Sequence, residues 1–214
     1  MTSKQIALLL HAAFLIGALF FIVPALTAWD ARAGYLFSLA LCWLAFCLPV
    51  IGLHALKGND GRLFSEKLAW RDWWLLPLLL AQVGLVAGIY FVPNTALLST
   101  GGMWLAFLVA AINAPLQELA WRGSFIGTFR DKAGLGFWLA WLLSTIAQIP
   151  LALSVDLVFE GGVLTLVGIT AALGLLWHWI AWRTGSVFYV GLAHFVTSFF
   201  AFWVLFDRNG FAGG

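Results

Sequence analysis

The stretch IALLLHAAFLIGALFFIVPALTAW, residues 6–29, contains no Asp, Glu, Lys or Arg. About 20 apolar residues suffice for a helix to cross a bilayer, and in lipid only a helix or a closed barrel satisfies its own backbone. A stretch this long therefore reads as a membrane-spanning helix. It is also too long for the apolar core of a cleaved signal peptide, roughly 7–15 residues, although Lys4 and Ala31-Arg32-Ala33 flank it as such a signal would be flanked. We read it as a retained helix. Six further runs follow at 34–56, 73–92, 103–121, 135–153, 162–182 and 187–206. The expected fold is all-α, a polytopic transmembrane bundle of about seven spans, with 1–214 forming one integral-membrane domain.

Composition agrees with this reading. Of 214 residues, 63% are hydrophobic and 9% charged, where a soluble domain carries about a quarter charged. No basic tract is present, which argues against a nucleic-acid partner and leaves membrane lipid as the surroundings. Among the 13 Trp, Trp29, Trp73, Trp74, Trp104, Trp121 and Trp182 fall at predicted span ends, where an amphipathic ring suits the interface. Cys42 and Cys47 match no zinc spacing and read as small buried hydrophobes. Gly84 and Gly88 form a G-x-x-x-G, a weak helix-packing signal.

Lys and Arg set the expected orientation. With the N-terminus inside, the inner segments carry Lys4, Lys57, Arg62, Lys67, Arg71, Arg122, Arg130, Lys132 and Arg183, and the outer ones only Arg32 and Arg208. This bias predicts a cytoplasmic N-terminus, most simply in a bacterial plasma membrane. The connection 57–72 mixes charges with Leu68 and Trp70 and predicts a short amphipathic helix in the interface.

Polar groups inside a membrane are costly and need reasons. Glu118 is the only acid well inside a span, and Arg122 follows four residues on, one helical turn away. An ion pair anchoring a helix end and a functional pair both fit that spacing. His194 lies deep in the last span, with Ser198 one turn further. His178 lies at comparable depth on the preceding helix, where the two could meet. Pro115 and Pro150 should bend the fourth and fifth spans beside Gln117-Glu118 and Gln148, an arrangement that suits either a cavity or plain packing.

The run Gln117-Glu118-Leu119-Ala120-Trp121-Arg122-Gly123 resembles the E-E-x-x-x-R-G motif of the CAAX-protease and bacteriocin-processing (CPBP) intramembrane proteases. Ser144-Thr145-Ile146-Ala147-Gln148 lies where that family's F-x-x-x-H motif is expected, and Arg183-Thr184-Gly185-Ser186 with His194 looks like its third motif region. The resemblance covers roughly 100–206. It implies hydrolysis of peptide bonds in prenylated proteins or peptides at the cytoplasmic side of the membrane. A glutamate assisted by histidines would activate water, and Asn and His groups would stabilise the oxyanion.

The same resemblance marks departures. Gln117 stands where the first Glu is expected, Gln148 where the His of the second motif is, Ser144 in place of its Phe, and Ser198 in place of an Asn. Glu118, Arg122 and His194 remain. Three expectations stay open: a protease with a degenerate site, rebuilt around Glu118 with His194 and His178; an inactive relative acting as a binding, immunity or scaffold protein; and a small transporter. Glu118, His178 and His194 would also make the three protein ligands of a divalent metal such as zinc, if brought together. The expected partner is a peptide or a lipidated protein.

Overall fold

The computed structural model describes residues 1–56, 62–66 and 68–211. Among the described residues, seven helices are long and apolar enough to cross a membrane: α1 (Ser3–Trp29), α2 (Ala31–Ala55), α3 (Trp70–Leu97), α4 (Thr100–Thr128), α5 (Arg130–Ala152), α6 (Gly162–Thr184) and α7 (Phe188–Arg208). The described residues contain no strand. Each predicted run is recovered, and several helices extend past it. The largest extension is α4, which continues through Arg122 to Thr128 although the apolar run stops at Trp121.

α4 and α7 share the longest face, and α3 packs on α7. α1 packs on α2 and α5, and α5 on α6. In α1 the buried residues are Leu8, Ala12, Leu15, Leu19 and Val23, whereas Phe14 and Phe21 face outward. Both faces are equally apolar, because lipid and protein interior are alike as solvents. Gly34 lets α2 turn back onto α1, since a Cβ there would run into the Leu26 carbonyl.

Trp29, Trp70, Trp73 and Trp104 are exposed, as interfacial residues should be. Trp121 corrects its expectation. It is 1% exposed and packs against Phe46 at 4.5 Å and Phe125 at 6.2 Å. Because α4 runs on for seven residues past it, position 121 lies within the bundle. The Gly84–Gly88 pair packs against nothing among the described residues, as a Cβ at either site would meet open space.

Within the connection 57–72, residues 57–61 and 67 lie outside the described residues. The described parts contain short 3₁₀ turns at Arg62–Phe64 and Trp70–Asp72 and no longer helix, where the sequence predicts an amphipathic one. The chain is held down instead. Leu63 is buried, the Val187 N–H donates to its carbonyl at 2.8 Å, and Ser186 Oγ lies 2.8 Å from the Ser65 carbonyl. The Tyr189 hydroxyl donates to the Glu66 carbonyl at 2.6 Å. Residues 62–66 thus form a strap across the α6–α7 turn.

Candidate functional site

The motif helix is not α-helical throughout. Pro115 lies inside α4, and Glu118–Gly123 forms a π turn. Proline removes a backbone donor, and π turns recur at functional sites in helices. Glu118, Arg122 and Gly123 are all buried there.

Glu118 is 1% exposed. Its Oε1 accepts from Arg122 Nη1 on its own helix and from His194 Nδ1 on α7 at 2.6 Å. With a guanidinium on one side, the carboxylate fixes the imidazole with its proton on Nδ1, leaving Nε2 as the basic nitrogen. Among the described residues, buried Glu118 Oε2 and Arg122 Nε have no hydrogen-bond partner. A buried carboxylate is costly unless paired, so these contacts tie α4 to α7 as well as orient His194.

Three residues not picked out as site residues from sequence complete this cluster. Trp177 of α6 stacks on His194, with centroids 4.5 Å apart and planes 26° from parallel, and the Arg122 guanidinium lies 5.6 Å from the same indole. Trp177 Nε1 donates to Gln82 Oε1 at 3.2 Å, and Gln82 Nε2 donates to Thr197 Oγ1 at 3.0 Å. The chain of contacts joins α3, α4, α6 and α7. Gln82 and Thr197 could be noticed as polar residues inside spans, but their pairing depends on helix rotation.

A second cluster is built of neutral amides. Asn113 Oδ1 accepts from Gln117 Nε2 at 2.9 Å and from Trp43 Nε1 at 2.9 Å. Gln148 Nε2 points to Gln117 Oε1 at 3.4 Å, a long contact. Two of the substituted motif positions, on α4 and α5, therefore meet.

Ser198 is half-buried, and among the described residues no hydrogen bond joins it to Glu118 or His194. His178 does not approach His194. Its Nδ1 donates to the Gly174 carbonyl at 2.7 Å, and its ring packs against Phe137 and Trp182. Adjacent helical positions diverge by about 100°, so with Trp177 on His194 the next residue must face elsewhere. Among the described residues, no three His, Cys, Asp or Glu side chains are placed to hold a metal. Glu118 and His194 supply two ligands with a guanidinium in contact, which does not fit a zinc centre needing three protein ligands.

Buried charge, a proline inside the helix and a widened turn define a membrane protein with a built polar centre between α4, α6 and α7. Residues 98–200 match the family model described as type II CAAX prenyl endopeptidase Rce1-like, which bears out the resemblance to the CPBP family. The match spans α4 to most of α7 and includes every motif position discussed above. The comparison with curated proteins and the comparison with solved structures each found no match.

Proposed function

We propose that this chain is a CAAX-protease-type membrane protein that receives a peptide or lipidated protein segment at the cytoplasmic end of the bundle. It holds that segment without the family's glutamate-based hydrolysis. The reading rests on the contact between Gln117 and Gln148, a neutral amide pair where the resemblance implies a general base and a histidine. Hydrolysis needs a group that takes a proton from water and one that delivers it to the leaving amine. Amides do neither at neutral pH, but they offer both donors and acceptors to a peptide backbone. The bias of Lys and Arg toward one end supports a cytoplasmic N-terminus, in a plasma membrane of bacterial type.

The test is a cleavage and retention assay in proteoliposomes with prenylated and unmodified peptides. Wild type should retain peptide and release no product. Gln117→Glu combined with Gln148→His should gain turnover. Turnover by wild type that disappears in Glu118→Gln would sink the binding-only reading.

That outcome defines the second reading, which the 2.6 Å contact between His194 and Glu118 favours. A histidine oriented by a carboxylate is an ordinary general base. His194 Nε2 would take a proton from water as the water oxygen attacks the peptide carbonyl. The same proton would pass to the departing amine as the C–N bond breaks. Arg122 would hold the carboxylate in place.

A further inference from the structure

The end of the bundle where α1 begins and α2 and α4 finish holds a cavity of about 410 Å³, apart from the Glu118 cluster. Thr2, Ser3 and Lys4 line it from the start of α1, Leu53 and His54 from the end of α2, and Thr128 from the end of α4.

Three observations fix its chemistry. Among the described residues, the lining offers an ammonium and three hydroxyls besides the imidazole, and no carboxylate. Asp131, the acid nearby in the fold, accepts instead from Gln5 Nε2 at 2.7 Å and is not part of the lining. Next, the 27-residue helix α1 starts here. The Gln5 N–H is taken by Thr2 Oγ1 at 3.3 Å and the Ile6 N–H by the Thr2 carbonyl at 3.0 Å. The N–H groups of Ser3 and Lys4 have no intrahelical acceptor, and they form the positive end of the helix dipole. Finally, His54 lines the cavity, is 9% exposed, and among the described residues its buried Nδ1 has no hydrogen-bond partner. A buried polar atom left unpaired costs free energy that a ligand can recover. Lys4 and His11 both lie within electrostatic range of His54, so basic groups converge on this corner.

We propose that this cavity binds a phosphate-bearing anion, either as a free ion or as the headgroup of an anionic lipid. Phosphate oxygens accept from an ammonium, an imidazole N–H and first-turn backbone amides together, and helix N-termini are ready-made sites for such groups. The location at the ends of three spans puts the cavity at the depth of lipid headgroups. The proposal does not depend on the reading of the Glu118 cluster.

The experiment uses the whole chain. In detergent, the melting temperature is followed against inorganic phosphate, with sodium chloride at matched ionic strength as control. In parallel, nanodiscs of phosphatidylcholine with or without phosphatidylglycerol are prepared, and lipid retained after detergent extraction is counted by native mass spectrometry. Lys4→Glu and His54→Leu should each weaken retention about tenfold, as loss of a charge-assisted hydrogen bond does. Lys4→Arg should preserve it, and Lys132→Glu, an exposed basic residue outside the lining, should change nothing. A phosphate response without lipid retention identifies the free ion as the source, and retention of phosphatidylglycerol alone identifies the headgroup. Lys4 is exposed, so its reversal tests the site even if His54→Leu fails to fold. No response in wild type, or the same response in Lys4→Glu as in wild type, overturns the proposal.

Discussion

Trp177 lies against His194 with ring centroids 4.5 Å apart, and the same indole lies 5.6 Å from the Arg122 guanidinium. The tryptophan thus sits between the two groups that hold Glu118, and its N–H is bonded to Gln82 on a third helix. It fixes how far α6 stands from α4 and α7.

Replacing Trp177 by Leu should loosen His194 as well as reduce packing. A double-mutant cycle with His194→Ala in detergent should give a coupling of about 0.5–1.5 kcal/mol, the usual worth of an aromatic pair beyond its area. Additive effects would show that the stack contributes nothing specific.

Arg122→Met leaves Glu118 buried with one partner in place of two. Removing one member of a buried pair costs about 3–5 kcal/mol, while replacing both charges costs far less. Arg122→Met should therefore lower the unfolding midpoint sharply. Glu118→Gln with Arg122→Met should recover most of the loss.

Gln117→Glu alone turns a carboxylate oxygen toward Asn113 Oδ1, which already accepts from Trp43. Losing that donor should cost about 1–3 kcal/mol. Adding Gln148→His exchanges the neutral amide donor that already faces this position from α5 for one able to carry a positive charge opposite the carboxylate, so the double variant should be more stable than Gln117→Glu alone. Thermal denaturation of wild type, the two single variants and the double variant settles the order.

Ser186→Ala removes the hydroxyl that reaches the Leu63 and Ser65 carbonyls and accepts from the Phe188 N–H at 3.2 Å. The strap 62–66 should then be nicked faster by protease, with little change in the global unfolding midpoint. Equal nicking rates would mean that Tyr189 and Val187 hold the strap unaided.

The number and approximate limits of the spans were legible because hydropathy alone places a helix in lipid. Their faces were not. The buried stripe Leu8–Ala12–Leu15–Leu19–Val23 and the outward Phe14 and Phe21 are equally apolar, so no periodicity separates them. At the site, the Arg122–Glu118 pair follows from spacing along one helix. The Glu118–His194 contact crosses 76 positions and depends on how α7 is rotated, as does the turning away of His178. Trp121 was misplaced for a related reason. The apolar run ends there, but the helix continues because the next charge, Arg122, is neutralised inside the bundle.

The π turn at Glu118–Gly123 gives the motif helix two separate registers. A π turn behaves as one extra residue inserted in an α-helix, and one residue corresponds to about 100° of rotation. Deleting a single codon anywhere in this turn would restore a plain α-helix and swing one half of α4 relative to the other. Either Asn113 and Gln117 would leave the amide cluster, or Phe125 and Phe129 would leave the core. In a deep scan of this gene, in-frame deletions at 118–123 should therefore be worse tolerated than any substitution there.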